Sequence, residues 1–340
     1  MSEYPFTFDS EPEQRPRKTR RPVRTVLLVL MSLVLVAALA AGGYLWHLAS
    51  TFDRNSNVLA GALPADKPAK SAAAGNSQNI LLMGSDSRDP ANGEDARSDA
   101  MMLVHIPDDR SAIYMMSIMR DTWVSIPGNG EHKINAAMAL GGVSLTVETV
   151  QSLFDIPIDH VAIIDFEGFK GLTDALGGVT VSNDIPFTSE GAEGEYFDAG
   201  EIQLQGESAL KYVRERYAFT DGDYQRVKNQ QAFLQGVMSG VLSRETLTNP
   251  VKISNVVGEI SPYLSVDEEF NSTAAGSLAF GLRNIRSSDV RMFTLPIAGV
   301  GTSADGQSIV VPDYDAIAEI AAALDNDDME GYFNAAVPGD

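Results

Sequence analysis

The 340-residue chain contains no cysteine and only four histidines. Without cysteine, disulfides and thiolate metal sites are excluded. We expect the histidines to be structural or to lie at the surface, because His47, His105, His132 and His160 do not show the spacing of a metal site. A phosphate-binding Gly-Lys-Ser/Thr loop, a Gly-x-Ser-x-Gly elbow and a His-Glu-x-x-His motif are also absent from the sequence. None of the common catalytic signatures therefore assigns a function.

Basic residues are scarce, and they are unevenly placed. Lys and Arg number 25 against 46 Asp and Glu, which gives a net charge of -21. The first 24 residues hold six basic and four acidic side chains, a net +2, so the remainder carries -23. Nucleic-acid binding needs a basic footprint. We therefore expect no nucleic-acid partner.

A long uncharged segment follows the basic cluster. No residue from Thr25 to Trp46 is charged, and at about 1.5 Å per residue this helix would cross a hydrocarbon core of about 30 Å. Because the basic cluster precedes the segment, we expect a single-pass protein of the cell membrane with a cytoplasmic N-terminus. The alternative is a cleaved signal peptide, since Ala38-Leu39-Ala40 resembles a cleavage site. The apolar run is longer than the usual signal core of about 7–15 residues.

Short apolar runs alternate with helical patterns over the rest of the chain. Runs such as Met101–Ile106, Ala112–Ile118 and Val161–Phe166 indicate buried strands. The pattern predicts a single α/β/α domain with a central mixed sheet, preceded by one transmembrane helix. The predicted division is a disordered basic cytoplasmic tail (1–24), a transmembrane helix (25–48), a stalk (49–77), an extracytoplasmic domain (78–328) and a C-terminal tail (329–340).

Acidic and arginine residues gather at the predicted strand ends, where ligands of α/β sheets bind. They are Asp86, Arg88, Arg97, Asp99, Arg120 and Asp121, followed later by Arg214, Arg216, Asp223, Arg226 and Gln230. Arg226 and Gln230 share a helix face, whereas Arg214 and Arg216 share a side only if the helix ends near Arg214. Guanidinium groups suit a polyanion such as a phosphate. The alternative is a set of surface ion pairs, each of which contributes little.

Eight segments in this order resemble the LytR-CpsA-Psr family over about residues 78–328. They are Leu82–Arg88, Arg97–Met102, Ser117–Val124, Lys133–Ala137, Leu176–Val179, Ala209–Arg216, Asp223–Arg226 and Asn229–Gln231. The chain departs from the family pattern at Met119, where proline is frequent, and at Asn229, where arginine is frequent.

The resemblance implies a phosphotransferase of cell-wall assembly that moves a glycopolymer from a polyprenyl-pyrophosphate carrier to a peptidoglycan hydroxyl. It implies that Asp86 and Asp99 bind Mg²⁺, with Mn²⁺ as the alternative metal. The implied pyrophosphate ligands are Arg97, Lys133, Arg214, Arg216, Arg226 and Gln230. The implied catalytic residues are Asp99, Arg97, Arg120 and Asp121, with Asp121 as a candidate acceptor of the hydroxyl proton.

The residues leave two other functions open. A polyprenyl-pyrophosphate pyrophosphatase would use the same residues with water as acceptor, and a non-catalytic protein would only bind the lipid-linked glycan. A polyprenyl tail needs an apolar tunnel, and the candidate lining residues are Met102, Val104, Met116, Phe166, Phe169 and Phe233. Ordinary core packing is the alternative role of these six side chains.

The charge distribution makes a prediction about topology. Protease added outside intact cells should digest residues 78–328 and leave an N-terminal tag protected, because the basic cluster keeps residues 1–24 inside. The measurement is an immunoblot of the tag with and without cell lysis. A mature N-terminus at Ala41 would contradict the membrane anchor.

Overall fold

The computed structural model describes residues 22–85, 98–191, 194–220 and 222–336. The predicted basic tail lies outside these residues up to position 21. In chain order the elements of the N-terminal half are α1 (Pro22–Asn55), β1 (Asn57–Leu59), β2 (Gln78–Ser85), β3 (Ser98–Ile106), β4 (Ile113–Ile118), β5 (Trp123–Ile126), β6 (Gly130–Lys133), α2 (Ala136–Phe154), β7 (His160–Asp165) and α3 (Phe166–Leu176).

The elements that follow α3 are β8 (Val179–Asn183), β9 (Phe187–Thr188), β10 (Tyr196–Phe197), β11 (Gly200–Leu204), α4 (Gly206–Arg214), α5 (Asp223–Val241), α6 (Arg244–Leu247), α7 (Pro250–Ile260) and β12 (Leu264–Asp267). The last ones are α8 (Ser272–Gly281), β13 (Val290–Thr294), β14 (Ile297–Thr302), β15 (Ser308–Pro312), α9 (Tyr314–Asp325) and α10 (Met329–Ala336).

A seven-stranded mixed sheet forms the centre of the fold, in the order β1-β12-β7-β2-β3-β4-β13. Strands β2, β3 and β4 pair antiparallel in chain order, whereas β7 runs parallel to β2 and β13 parallel to β4. Strand β12 lies between β7, to which it is antiparallel, and β1, to which it is parallel. The predicted mixed sheet is confirmed.

Helices cover both faces of this sheet. Side chains alternate along a strand, so Leu81 of β2 packs with Val147 of α2 and Ile320 of α9 on one face. Ile80 of β2 packs with Leu234 of α5 on the other face, next to residues of α8. This arrangement is the three-layered α/β/α architecture that the sequence predicts.

Two helix ends position the site, and the end that was predicted near Arg214 is confirmed. Helix α3 begins after Asp165, whose carboxylate accepts a hydrogen bond from Gly168 N at 2.8 Å, and it stops at Gly177 in the left-handed conformation (φ 76°). Glycine adopts that conformation without the cost of a Cβ. Helix α4 ends at Arg214, because Glu215 is extended (φ -64°, ψ 133°).

Two segments that the sequence places outside the domain are packed into it. Within the predicted stalk, β1 joins the central sheet, and Leu59 and Ala62 are buried in the core. Beyond residue 328, α10 packs against α9, and Met329 is only 1% exposed. Among the described residues, the folded unit extends from Leu48 to Ala336, so it is longer at both ends than the predicted 78–328.

Helix α1 contains the predicted membrane segment. Met31–Asn55 is long and apolar enough to cross a membrane, judged by length and composition. The described residues up to His47 form a unit of their own.

A buried carboxylate closes the end of β12. Asp267 is 2% exposed, and it accepts hydrogen bonds from Val161 N at 2.9 Å, Glu269 N at 2.9 Å and Phe270 N at 3.0 Å. Burial alone would raise the pKa of Asp267, but the contact with His160 and these backbone donors outweigh burial and hold the pKa below its usual value. Folding therefore favours the ionised form of this carboxyl group.

This carboxylate predicts an acid-sensitive contribution to stability. The contribution is present above the usual aspartate pKa of about 3.9 and is lost as pH falls through the lower pKa of the folded chain. Asp267→Asn should lower the free energy of unfolding by about 2 kcal/mol at neutral pH. Urea denaturation at a series of pH values should show the difference between variant and parent shrinking in acid. A constant difference down to strongly acidic pH would contradict this role.

Candidate active site

An apolar cavity of about 290 Å³ lies between the sheet and the helices α3, α4 and α5. Of the six predicted tunnel residues, Met102, Phe166, Phe169 and Phe233 line it. The prediction is wrong for the other two: Val104 packs in the core beside Ile106 and Ile113, and Met116 belongs to the core on the opposite face of the sheet.

Small side chains keep this cavity open. Gly84, Ala100 and Ala162, from three adjacent strands, form part of its wall. A Cβ added at Gly84 would lie 3.4 Å from the Cβ of Ala100, which is ordinary contact distance. The sheet therefore leaves room here that larger side chains would occupy.

Polar groups stand at the edge of the apolar wall. Arg214 and Gln230, both predicted pyrophosphate ligands, line the same cavity. The guanidinium carbon of Arg214 lies 4.5 Å from the centroid of the Phe166 ring, and Gln230 Nε2 donates to the carbonyl oxygen of Val213 at 3.3 Å. The structure thus brings these two predicted residues together where helix α4 ends.

A charged cluster lies at the start of α5. Arg226 Nη2 is 2.6 Å from Asp223 Oδ1, and Arg120 Nε is 3.8 Å from the same oxygen. Lys133 Nζ is 3.1 Å from Asp121 Oδ1, and Arg120 Nε is 4.0 Å from Asp121 Oδ2. Four of the residues predicted from the sequence, Arg120, Asp121, Lys133 and Arg226, are therefore neighbours.

Arg216 is joined to this cluster through its electrostatics. Its guanidinium donates to the Tyr217 hydroxyl and lies 4.4 Å from the centroid of that ring. The hydrogen bond to Tyr217, and then the negative charges of Asp223 and Asp121, raise the pKa of Arg216. The two carboxylates that pair with Arg120 therefore also favour the cationic form of Arg216.

One face of α5 connects the charged cluster to the apolar cavity. Arg226, Gln230 and Phe233 are spaced by four and three residues, so they follow one another along the helix surface. Arg226 belongs to the charged cluster, while Gln230 and Phe233 line the cavity. A molecule with an apolar tail and an anionic head would find both environments along this face.

Positive charge exceeds negative charge among these side chains. Arg120, Lys133, Arg214, Arg216 and Arg226 supply five cations. The carboxylates among them are those of Asp121, Asp223, Glu215 and Asp165, of which the last two lie beside Arg214, so the excess is one. Asp223 was not among the residues assigned a role from sequence. The spacing of Asp223 and Arg226, three apart on a helix, is the signal that identifies their pairing.

Glu215, between the two arginines, is a second residue that sequence reasoning missed. It is 6% exposed, and its Oε1 accepts from the backbone nitrogens of Arg216 at 3.0 Å, Tyr217 at 2.8 Å and Ala218 at 3.0 Å. Its Oε2 accepts from Glu190 N at 2.6 Å. The carboxylate therefore shapes the turn that carries Arg214 and Arg216. The sequence shows only an acidic residue between two basic ones, which does not reveal this role.

The predicted metal ligands remain predictions. Asp86 and Arg97, like Arg88, lie outside the described residues, and Asp99 is described only by its backbone in β3. Ser85, which precedes Asp86 in the chain, pairs with Ser98, which precedes Asp99. Among the side chains that the structure describes, no group of three His, Asp or Glu residues is arranged to hold a metal ion.

Comparisons with known proteins agree with the geometry. The model of the LytR-CpsA-Psr family (LytR_cpsA_psr) matches residues 48–326. The chain is similar to TagU of Enterococcus faecalis, a polyisoprenyl-teichoic acid–peptidoglycan teichoic acid transferase, with 29% identity over 89% of this chain and 97% of the relative.

Solved structures give the same result. The crystal structure of TagV of B. subtilis is similar with a TM-score of 0.65 and 27% identity, over 74% of this chain and 97% of the other. A structure of TagT bound to LI-WTA is similar with a TM-score of 0.59 and 26% identity, over 78% of this chain and 98% of the other.

The burial of the arginines separates their effects on stability and on activity. Arg226→Ala should lower the free energy of unfolding by about 3 kcal/mol, because Arg226 is 5% exposed and pairs with Asp223. Arg214→Ala should change stability by less than about 0.5 kcal/mol, because Arg214 is exposed. Both variants, and Arg216→Lys, should slow pyrophosphate cleavage by roughly 10²-fold. Urea denaturation and a cleavage assay measure the two effects.

The matched control is Arg283→Ala. Arg283 stacks on Phe280 at 4.3 Å, outside the residues that line the cavity or form the charged cluster. It should leave cleavage unchanged. Near-normal turnover in Arg214→Ala, Arg216→Lys and Arg226→Ala together would place the reaction elsewhere.

Proposed function

The chain belongs to the LytR-CpsA-Psr family, and on that premise we propose that it transfers a glycopolymer from a polyisoprenyl-pyrophosphate carrier to a hydroxyl of peptidoglycan. One observation carries the proposal: an apolar cavity adjoins a cluster with excess positive charge, and Arg214 stands at their boundary. The name of the TagU relatives gives polyisoprenyl-teichoic acid and peptidoglycan as the substrates of those proteins.

The apolar cavity suits the lipid end of the carrier. Its wall consists almost wholly of aliphatic and aromatic side chains, such as Leu82, Met102 and Phe169. Burying a polyisoprenyl chain there removes apolar surface from water. This would hold the carrier while its pyrophosphate faces Arg214 and Gln230.

The arginines suit the pyrophosphate. Phosphoryl transfer depends mainly on positioning and on stabilising the charge that develops on the leaving phosphate. Arg214, Arg216 and Arg226 would bind oxygen atoms of the two phosphates. Arg97 would be a further cationic ligand, and Gln230 would be a neutral one. Asp223 holds Arg226 in place before substrate arrives, at 2.6 Å.

The reaction exchanges one phosphorus–oxygen bond for another. The acceptor hydroxyl attacks the phosphorus that bears the glycan, and the bridging oxygen leaves on the lipid phosphate. We propose that Asp121 takes the hydroxyl proton, with Lys133 at 3.1 Å and Arg120 at 4.0 Å fixing the direction of its carboxylate. The products are a glycan joined to peptidoglycan through a phosphodiester and a polyisoprenyl phosphate.

Asp86 and Asp99 are the proposed ligands of Mg²⁺ or Mn²⁺. Two carboxylates plus phosphate oxygens are a donor set that Mg²⁺ accepts. Ser85, which precedes Asp86, and Ser98, which precedes Asp99, are partners in the sheet. Gly84 lies next to Ser85, Ala100 lies next to Asp99, and both line the cavity. When bound, the metal would neutralise charge on the pyrophosphate oxygens.

We further propose that α1 is a single membrane anchor with its N-terminus in the cytoplasm and the folded unit, which begins at Leu48, outside. The apolar length of Met31–Asn55 and the basic residues before Thr25 support this topology.

Purified full-length protein should transfer glycan when incubated with Mg²⁺, a lipid-pyrophosphate glycan and peptidoglycan fragments, with mass spectrometry of the products as the measurement. Asp99→Ala should abolish turnover without loss of the fold, because a metal ligand is removed. A chelator should abolish turnover of the parent protein, and added Mg²⁺ or Mn²⁺ should restore it. The matched control is Asp66→Ala, at an exposed aspartate.

The products separate the candidate functions. Glycan phosphate released into solution without a peptidoglycan adduct would identify a pyrophosphatase, and neither product would identify a binding protein. Full turnover in chelator would overturn the metal assignment and leave the proposed transfer standing.

A further inference from the structure

A second cavity, about 310 Å³ in volume and lined by charged side chains as well as by apolar surface, lies beside Arg214. We call it the polar cavity. The charged and aromatic residues that line it are Glu190, Glu207, Lys211, Arg214, Glu215 and Tyr217. Arg214 is shared with the apolar cavity, where its guanidinium lies on the Phe166 ring. Arg214 therefore borders both cavities.

The polar cavity is held in shape by a buried charge. The Glu215 carboxylate accepts from Glu190 N at 2.6 Å in one wall and from Tyr217 N at 2.8 Å in the other. Glu215 is 6% exposed, so breaking these contacts would leave a buried carboxylate without its donors. The two walls are consequently tied together before any ligand binds.

The lining is balanced in charge and suits a neutral sugar. The carboxylates of Glu190 and Glu207 match the two cations Lys211 and Arg214, because the Glu215 carboxylate is already bound by backbone N–H groups. The lining therefore has no excess of positive charge to attract a second phosphate. Carboxylates accept hydrogen bonds from hydroxyl groups, and the ammonium group of Lys211 can donate hydrogen bonds to hydroxyl oxygens. Tyr217 is 65% exposed, and its ring offers an apolar face. A sugar ring presents both hydroxyl groups and apolar C–H faces.

We propose that the polar cavity binds a sugar ring of the glycan substrates, an assignment that rests on the proposed function. With the lipid in the apolar cavity and the pyrophosphate at Arg214, the polar cavity lies on the other side of the phosphate-binding residue. Two sugars of the reaction could bind in the polar cavity. One is the sugar attached to the transferred phosphate, and the other is the sugar that supplies the attacking hydroxyl. Their chemistry is shared, and the following experiment distinguishes them.

The test uses the full-length double variant Glu190→Ala/Glu207→Ala. Neither side chain belongs to the charged cluster, and Lys170, which pairs with Glu207 at 3.6 Å, keeps Glu167 at 2.8 Å. Glu148→Ala, an exposed glutamate on α2 across the sheet, is the matched control. Melting temperature should be unchanged in both proteins.

Three quantities are compared with the parent: binding of a soluble peptidoglycan oligosaccharide by calorimetry, the KM values for donor and acceptor in transfer, and donor hydrolysis without acceptor. Loss of two hydrogen bonds to charged groups should weaken sugar binding about tenfold or more. A rise in the acceptor KM with weaker oligosaccharide binding assigns the cavity to the acceptor sugar. A rise in the donor KM, in transfer and hydrolysis alike, assigns it to the donor sugar.

Unchanged oligosaccharide binding together with unchanged KM values, in a parent protein that does transfer glycan, would overturn the proposal. A parent protein that transfers nothing would instead count against the proposed function. In that case calorimetry on the two variants still decides whether the polar cavity binds sugar.

Discussion

The carboxylate of Asp223 is the contact on which the arrangement of the site depends. It lies 2.6 Å from Arg226 and 3.8 Å from Arg120, so it joins the start of α5 to the turn after β4. Two partly buried arginines close together would repel each other and pay a desolvation cost without such a partner. The same helix carries Gln230 and Phe233 to the apolar cavity. Fixing one end of α5 therefore sets both the charged and the apolar parts of the site.

Local features of the fold were predictable from the sequence because local physics determines them. Short apolar runs indicated the central strands, and the spacing of Arg214 and Arg216 indicated an extended segment where α4 ends. Features that depend on distant partners were not predictable. The three-residue strand Asn57–Leu59 pairs with Ser265–Asp267, and nothing near residue 57 announces that contact. The prediction of a stalk was wrong there for this reason.

The site shows the same division. The residue types in the sequence identified the cations of the site. They did not show which groups the neighbouring carboxylates contact, so the pairing of Asp223 with the arginines and the role of Glu215 in the turn appear only in the structure. Met102 and Val104 are two residues apart, so they lie on the same face of β3. Of the two, only Met102 lines the cavity. The difference comes from Gly84 and Ala162 on neighbouring strands, whose small side chains leave space beside one residue and not the other.

The order of strands also governs when the sheet can be completed during synthesis. The four central strands, β7, β2, β3 and β4, come from residues 78–165, whereas β12 and β13, which cover their two outer edges, come from residues 264–294. Strand β1 has to wait for a partner that follows it by about two hundred residues, a long-range pairing of the kind that slows folding. Until then, both flanks of the half-built sheet expose unpaired backbone groups that can join other chains. A chain truncated before residue 264 would keep these open flanks permanently, and its expected fate is aggregation or degradation.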